Sequence, residues 1–519
     1  MQKILKILRL ETLSELCLIL LSFVLFMAKS WENSIHSVDS ALHARLALEV
    51  TKNGWVPALP MPSYGALDPR PFFNDQPFTL FYFVGQWMRL LGPDAWSARF
   101  IPGLFGVATI YLLLLIGRKY FGRAVGFGAA LILMLTPMFL QASARFQLDP
   151  SMTFFILLSF FFWLKRNDSG TVASVVGAVL FKAPTGLLVL PAGFLCDLLR
   201  SRGFTLSSIR RVLTISFFSI LFILLFWWMV NRIAGQDLFL DYFQRQVWGT
   251  SVNGRFEDRQ YDSLFFFKVF VRQLWLWILI LLFGLGYRLF KRDLSFSLEE
   301  FRSEPFYLSC AMTVVLVLVV SAVRFQAVNY FMPAFPFIAL ILALLIQNVI
   351  SRFWVWMENF VVHATPITMF ALLIFPVTLG PEMMPAFRHF APFIQTAGDC
   401  SDSVMFIDGN LYGGKNTYFC QIAFYTGRKV LPSSCDQALE LIHERKPAWI
   451  LLSGNDQVNC LKNQELSEYV TRIQFGSQYL WGIYPVGRSQ FDLTPLLRQL
   501  EPPLDCKPKE LRDSPWLRL

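Results

Sequence analysis

Apolar stretches near the length of a membrane helix recur along most of the chain, and short polar segments separate them. The stretches are Leu13–Ala28, Ser97–Gly117, Ala124–Leu140, Ser151–Leu164, Thr171–Phe181, Thr185–Leu199, Val212–Val230, Leu264–Tyr287, Phe306–Val323, Phe331–Val349 and Phe360–Leu379. The fourth and fifth are short, so they are either continued by flanking residues or are parts of broken helices that line a cavity. The pattern predicts a mainly α, polytopic membrane helical bundle of about eleven spans.

Basic residues are distributed unevenly between the two sets of loops that these spans define. Alternate segments, beginning with the N-terminus, carry 17 Lys and Arg residues, whereas the longer opposite loops at 31–96, 141–150 and 231–262 carry 9. Because cytoplasmic loops are enriched in Lys and Arg, we expect a cytoplasmic N-terminus and, after an odd number of spans, an extracytoplasmic C-terminal segment. The net charge of +10 therefore reflects membrane topology and argues against a nucleic-acid partner.

The composition agrees with a membrane protein. Of the 519 residues, 55% are hydrophobic and only 16% are charged, which excludes a disordered chain and is unlike an ordinary soluble enzyme. No small-residue cleavage site follows Lys29-Ser30-Trp31, so the first apolar stretch is predicted to be a retained helix and not a cleavable signal peptide.

Two domains are expected: a transmembrane domain at 1–380 and a small extracytoplasmic α/β domain at 381–519. Within the second, Val404–Ile407 and Trp449–Leu452 have the character of strands, and Asp436–Arg445 that of a helix. Five of the eight cysteines lie in this tail, where one or two disulfides are plausible but the pairing cannot be read from spacing. Cys17, Cys196 and Cys310 fall in or beside spans and are expected to be buried thiols.

The first external loop, 31–96, has three parts. Apolar positions from Val38 to Leu48 suit a short helix on the membrane surface. A Pro- and Gly-rich stretch follows and ends in Phe73-Asn74-Asp75-Gln76-Pro77. The aromatic run Phe78–Trp87 is either another interfacial helix or the entry to the next span.

Six ionisable residues are predicted to lie at the external ends of spans, on one membrane face. They are Asp39, Asp75, Arg145, Asp149, Lys182 and Arg324. Charges at that depth are costly unless they are paired or functional. Structural interpretations compete with catalysis: a helix N-cap for Asp39, a local ion pair for Arg145 with Asp149, and interfacial anchoring for Lys182 and Arg324. Motifs for soluble nucleotides are absent, as are CxxC pairs or His clusters typical of zinc sites.

Several sequence elements have an order and a shared membrane face that match one known superfamily. The elements are Val38-Asp39-Ser40-Ala41, Asp75-Gln76-Pro77-Phe78, Ala98-Arg99-Phe100-Ile101-Pro102 with Arg118-Lys119-Tyr120-Phe121-Gly122, Leu148-Asp149-Pro150, Phe181-Lys182-Ala183-Pro184-Thr185-Gly186, and Asn329-Tyr330-Phe331-Met332-Pro333-Ala334-Phe335-Pro336. Over roughly residues 10–350 the chain resembles the GT-C glycosyltransferases. The resemblance is closest to the bacterial branch of undecaprenyl-phosphate aminoarabinose transferase and to protein O-mannosyltransferase-like, Rgt-type enzymes.

Two positions depart from the family pattern. The family often has two acidic residues in tandem where this chain has Asp39-Ser40, and Lys where this chain has Gln76. The first departure leaves Asp39 as the only candidate base in that element. The second removes a cation that could meet a donor phosphate, so Lys182, Arg145 or Arg324 must supply that charge. For this reason the resemblance does not extend to specificity for aminoarabinose as the sugar.

The resemblance implies an inverting glycosyltransferase that uses a polyprenyl-phosphate sugar donor on the outer face of the bacterial inner membrane. Asp39 would deprotonate or orient the acceptor, and Arg145, Lys182 and Arg324 would hold the donor phosphate. Asp75 and Asp149 would orient these cations or bind a divalent metal ion, which is left open. The acceptor class implied is lipid A or another lipopolysaccharide component, another glycan, or a protein.

Two other function classes are weighed against this one. A transporter would use Arg145, Asp149, Lys182 and Arg324 to line a pathway for an anionic or lipid-linked solute. Against it, the charges are predicted at one membrane face and no inverted repeat of hydropathy is evident. A non-catalytic membrane scaffold with a partner-binding tail is the third alternative.

Overall fold

The computed structural model describes eight mostly helical segments before residue 375, together with five strands of the tail. The described residues are 2–27, 38–53, 75–201, 205–235, 237–253, 264–291, 299–323, 327–374, 403–408, 429–432, 448–453, 470–475 and 478–483. They form two compact units, one of residues 1–31, 74–83 and 99–379, the other of residues 32–73, 84–98 and 380–519. Each unit is described by itself below.

Helices account for nearly all of the described part before residue 375. They are α1 Gln2–Met27, α2 Val38–Asn53, α3 Thr79–Leu91, α4 Ala95–Tyr120, α5 Arg123–Met134, α6 Pro137–Ser143, α7 Asp149–Leu164, α8 Asp168–Phe181, α9 Val189–Ser201, α10 Leu206–Ala234, α11 Leu238–Tyr242, α12 Phe265–Lys291, α13 Glu304–Ala322, α14 Phe335–Val349 and α15 Phe353–Ile374. Each of the eleven predicted apolar stretches overlaps at least one of these helices.

The chain is a multi-pass membrane protein by the length and composition of its helices. Among the residues described, five helical segments are long and apolar enough to cross a bilayer: Ala95–Tyr120, Leu206–Ala234, Phe265–Lys291, Glu304–Ala322 and Val328–Val349. The pair α5 and α6, bent by 70° at Leu135 and Thr136, makes up to six. The apolar parts of α1, α7 and α8 are shorter, so the count of about eleven crossings stays a prediction.

The core of the first unit lies around α5 and α14. Trp354, at the start of α15, is fully buried and donates its indole N–H to the Ala343 carbonyl at 3.0 Å. Its ring also lies 5.9 Å from that of Trp277. A Cβ at Gly128 would lie 2.4 Å from the Trp354 ring, so this glycine allows the helix to approach the indole. In contrast, α10 and α12 expose most of their apolar residues, as lipid-facing helices do.

The helices α7 and α8 form a hairpin. Arg166 takes a left-handed backbone conformation, with φ 54°, in the connection, and the Asn167 side chain caps α8 by accepting from the Gly170 N–H at 2.9 Å. At this turn Arg166 pairs with Glu304 at 2.6 Å. The other end of the hairpin therefore brings the first residues of α7 beside the last residues of α8.

The second unit contains α2. This helix begins at Val38, so Asp39 lies in its first turn and is not the N-cap that one interpretation of the sequence suggested. Asp39 is exposed, whereas most residues from Ser40 to Val50 are buried, including an Arg45–Glu49 ion pair of 2.8 Å. The helix is thus more enclosed than the expected surface helix.

The tail contains a five-stranded sheet with the order β2-β1-β3-β5-β4. The strands are β1 Ser403–Asp408, β2 Lys429–Pro432, β3 Ala448–Ser453, β4 Val470–Phe475 and β5 Gln478–Ile483. The strand β1 pairs in parallel with β2 and β3, whereas β5 is antiparallel to both β3 and β4. Both predicted strands are confirmed as β1 and β3. The predicted helix Asp436–Arg445 and the five tail cysteines lie outside the described residues.

We predict that Gly128→Ala destabilises the protein by about 1–3 kcal/mol, because the new methyl group overlaps the fixed Trp354 ring. Thermal unfolding of the purified protein in detergent measures the change. The matched control is Gly286→Ala on α12, where nothing lies within 4 Å of the new Cβ. A Gly128→Ala variant as stable as Gly286→Ala would contradict the proposed close packing.

Candidate active site

A cavity of about 280 Å³ opens in the first unit between the α8–α9 connection, α11 and the end of α13. One part of its wall is apolar, with Val319, Val320 and Val323 at the end of α13 beside Met152 and Leu188. Ala183, Pro184 and Val247 also line it, together with seven hydrogen-bonding side chains: Asp75, Gln76, Lys182, Thr185, Tyr242, Gln246 and Tyr330. The cavity therefore offers both apolar and hydrogen-bonding groups to one ligand.

A buried ion pair joins the two ends of the α7–α8 hairpin at this cavity. The Lys182 Nζ donates to Asp149 Oδ1, and both side chains are at least nine-tenths buried. Asp149 lies in the first turn of α7 and Lys182 directly follows α8. The carboxylate is therefore at the positive end of one helix dipole and the ammonium at the negative end of the other, and both placements are favourable. The Tyr330 ring lies 5.7 Å from Lys182 Nζ, within cation–π range. These contacts supply the partners that buried polar groups need in an apolar setting.

The connection after α8 presents Lys182 and Thr185 on the same cavity. Ala183 is extended, and Pro184–Leu188 forms a short 3-10 turn that leads into α9. A Cβ at Gly186 would lie 2.6 Å from the Ala178 Cβ, so glycine lets this turn pack directly on α8. The Lys-x-Pro-x-Gly sequence therefore folds the chain back sharply beside the lysine.

The opposite wall is formed by α11 and the segment after it. The Tyr242 ring is buried and stacks on Trp227, with centroids 5.2 Å apart and planes at 21°. Burial, and secondarily the neighbouring Tyr330, raises the pKa of Tyr242, so its hydroxyl is protonated at neutral pH. The following residues, Phe243–Asn253, form a π-helix that brings Gln246 and Val247 to the cavity.

The structure brings together three of the six residues that the sequence suggested. Asp75 and Lys182 line the cavity, and Asp149 pairs with that lysine. The sequence suggested Arg145 as the local partner of Asp149; the ion pair that the structure shows for Asp149 is with Lys182, 33 positions along the chain. Arg145 is partly buried in the turn before α7 but does not line the cavity.

The remaining two residues are not tested by this geometry. Asp39 belongs to the second unit, and Arg324 lies outside the described residues. Within the described ranges, no three His, Cys, Asp or Glu side chains come together as a metal site. Sequence reasoning missed Tyr242 and Gln246, whose only signal was their position in an external segment rich in aromatic and polar residues.

We predict that Lys182→Met destabilises the protein by about 3–5 kcal/mol, because it leaves the Asp149 carboxylate buried without its cation. The double variant Asp149→Asn, Lys182→Met removes both charges and should recover a large part of that loss. Thermal unfolding in detergent measures both.

The matched control for this comparison is Arg245→Gln, which breaks the exposed Asp241–Arg245 pair and should change stability by less than about 1 kcal/mol. If the double variant is no more stable than Lys182→Met, the ion pair is not what holds the hairpin ends together.

A profile of the family described as dolichyl-phosphate-mannose-protein mannosyltransferase matches residues 75–230. This segment contains Asp75, Asp149 and Lys182 and ends before Tyr242. A relative from Aquifex aeolicus (strain VF5), described as an uncharacterized protein, is 26% identical over 355 residues, which are 61% of this chain and 66% of the relative. The chain thus spans slightly less than two thirds of that relative's length.

Two solved structures share the fold. ArnT from Cupriavidus metallidurans, bound to undecaprenyl phosphate, aligns with a TM-score of 0.66 at 14% identity over 91% of this chain and 97% of ArnT. The Archaeoglobus fulgidus oligosaccharyltransferase, in complex with Zn and sulfate, aligns with a TM-score of 0.52 at 13% identity over 91% and 74% of the two chains. The chain therefore has the fold shared by ArnT and the oligosaccharyltransferase, and its residues 75–230 are similar to the dolichyl-phosphate-mannose-protein mannosyltransferase family.

Proposed function

We propose that this protein transfers a sugar from a polyprenyl-phosphate donor to an acceptor hydroxyl or phosphate at the outer face of the bacterial inner membrane. The observation that carries the proposal is the cavity itself. Its lining combines a buried cation, Lys182, with hydrogen-bonding side chains and the three valines at the end of α13. A lipid phosphate that bears a sugar has groups complementary to all three: an anionic phosphate, sugar hydroxyls and an apolar chain.

The dimensions of the hairpin support a site below the membrane surface. The 16 residues of α7 span about 24 Å, less than the roughly 30 Å of a hydrocarbon core. With Lys165 and Arg166 at the cytoplasmic surface, as the charge distribution predicts, the Asp149–Lys182 pair lies several ångströms inside the opposite interface. A lipid-linked phosphate reaches that depth from the bilayer, whereas a soluble donor must leave water.

The reaction is a single displacement with inversion. The acceptor oxygen attacks the anomeric carbon, and the bond from that carbon to the phosphate oxygen breaks. The electron pair stays on the phosphate, whose negative charge increases, and the acceptor proton goes to the base. We assign the base to Asp39, and the stabilisation of the phosphate charge to Lys182 with Arg145 and Arg324.

The remaining acidic residues and the substrates complete the proposal. Asp149 orients Lys182, and Asp75 orients groups in the cavity. The donor is a polyprenyl phosphate, for which ArnT bound to undecaprenyl phosphate is a precedent within the fold. The acceptor is a lipopolysaccharide component such as lipid A, another glycan or a protein. The tail sheet is proposed to be extracytoplasmic, as the acceptor is. Comparing the envelope glycans of strains with and without the gene by mass spectrometry identifies the sugar and acceptor.

We predict that Asp39→Asn lowers sugar transfer by about 10²–10⁴-fold, because the amide cannot accept the acceptor's proton. Asp39 is exposed, so the amount of folded protein should not change. Consumption of the lipid-linked sugar in proteoliposomes that contain envelope extract measures transfer.

The matched control is Asp168→Asn, the same substitution in the first turn of another helix, α8, at a half-exposed residue in the hairpin turn. It should leave transfer unchanged. Normal donor consumption by Asp39→Asn would remove Asp39 from the mechanism, and donor movement across the membrane without transfer would favour a transporter.

The role of Lys182 is separated from its structural role by the double variant Asp149→Asn, Lys182→Met. We expect this variant to fold but to transfer sugar about 100-fold or more slowly than the wild type, because no ammonium remains beside the leaving phosphate. Assays at matched amounts of folded protein test this. A double variant with near-normal turnover would assign Lys182 to folding alone.

A further inference from the structure

Tyr242 and Gln246 line the cavity but have no part in the chemistry described so far. The proposed reaction uses groups that act on the phosphate or on the acceptor. It leaves open which side chains hold the sugar, and with it which sugar the protein selects. The geometry of α11 and the π-helix answers that question within the described residues.

The position of the Tyr242 hydroxyl is fixed by packing. Its ring stacks on Trp227, which is itself buried and has Phe78 at 6.5 Å on an edge. With the ring fixed in this way, the hydroxyl has little freedom to move away from a bound ligand. Burial raises the pKa of Tyr242, so the hydroxyl is protonated at neutral pH and can donate a hydrogen bond.

The π-helix places Gln246 on the same side as Tyr242. Hydrogen bonds in a π-helix join residues five apart, so a side chain four or five positions on points in nearly the same direction. Gln246 and Val247 stand in that relation to Tyr242 and both line the cavity. Arg245 points elsewhere, since it is nearly half exposed and pairs with Asp241. Short π-helical segments are frequent at functional sites.

The chemistry of this wall suits sugar hydroxyls. A carboxamide and a phenol both donate and accept hydrogen bonds, as hydroxyl groups do. Neither carries charge, so neither competes with Lys182 for the phosphate. The cavity, at about 280 Å³, is at the small end of ligand sites and fits a single sugar residue with its phosphate better than an oligosaccharide.

We propose that Tyr242 and Gln246 form the sugar subsite of the donor, binding hydroxyls of one monosaccharide while Lys182 binds the phosphate. This inference rests on the proposed function. The two residues bind substrate and set which monosaccharide is transferred, but they take no proton and form no bond. Replacing either side chain should therefore weaken binding of the sugar-bearing donor and leave binding of the bare lipid phosphate unchanged.

The test compares two ligands on one purified protein in nanodiscs. Affinities are measured for bare undecaprenyl phosphate and for undecaprenyl phosphate carrying mannose, glucose or 4-amino-arabinose. For the sugar lipid that the wild type binds best, we expect Gln246→Leu and Tyr242→Phe each to weaken binding by about tenfold or more. Binding of bare undecaprenyl phosphate should change less than twofold. Tyr242→Phe retains the stacked ring, so its unfolding temperature should stay close to the wild-type value.

The control is Arg245→Gln, on the same π-helix but outside the cavity, which should change neither affinity. Equal weakening of both ligands by Gln246→Leu and Tyr242→Phe, or no weakening of either, overturns the sugar subsite while leaving the proposed function standing. A wild-type protein that binds neither bare undecaprenyl phosphate nor any of the sugar lipids overturns the proposed function itself, and the subsite with it.

Discussion

The ion pair between Lys182 and Asp149 is the constraint on which the site depends. Two charges buried in an apolar bundle are tolerated only when they meet in good geometry, because their desolvation is expensive. That requirement fixes the relative height of α7 and α8, whose ends must coincide. It also fixes the chain that leaves α8, since Pro184–Leu188 must turn immediately and Gly186 must pack against the helix. The cavity is the space that this sharp return leaves open.

The two ends of the hairpin use charge differently. At the turn, Arg166 and Asp168 are each nearly half exposed, so their pairs with Glu304 and Arg211 are less completely desolvated than the pair at the cavity. At the cavity end, the single pair is enclosed. A charge at the turn stays partly hydrated. A charge at the cavity end is costly to bury and interacts strongly with any ligand that enters the cavity. This difference in burial separates the two ends of the α7–α8 hairpin.

Hydropathy and charge predicted the long apolar helices and two of the five strands, because burial in lipid and alternation in a sheet are local properties of the sequence. They did not predict the partner of Asp149. Arg145 is four residues away and was the natural choice, but the partner follows from the hairpin, a contact across 33 residues. Tyr242 and Gln246 were missed for a related reason. Their common direction depends on a π-helix, whose wider turn has no simple signature in the pattern of apolar residues.

Gln76 stands where the GT-C enzymes that this chain resembles often have lysine. The proposed reaction therefore depends more on the geometry of Lys182. An ammonium has three N–H groups, and Asp149 accepts from one of them. Two remain for phosphate oxygens, while the Tyr330 ring stabilises the cation through its face. Asp149 therefore does not withdraw Lys182 from a ligand. It holds the nitrogen in place, so a flexible side chain becomes a positioned donor before the phosphate arrives, and little reorganisation is needed as charge builds on the leaving group.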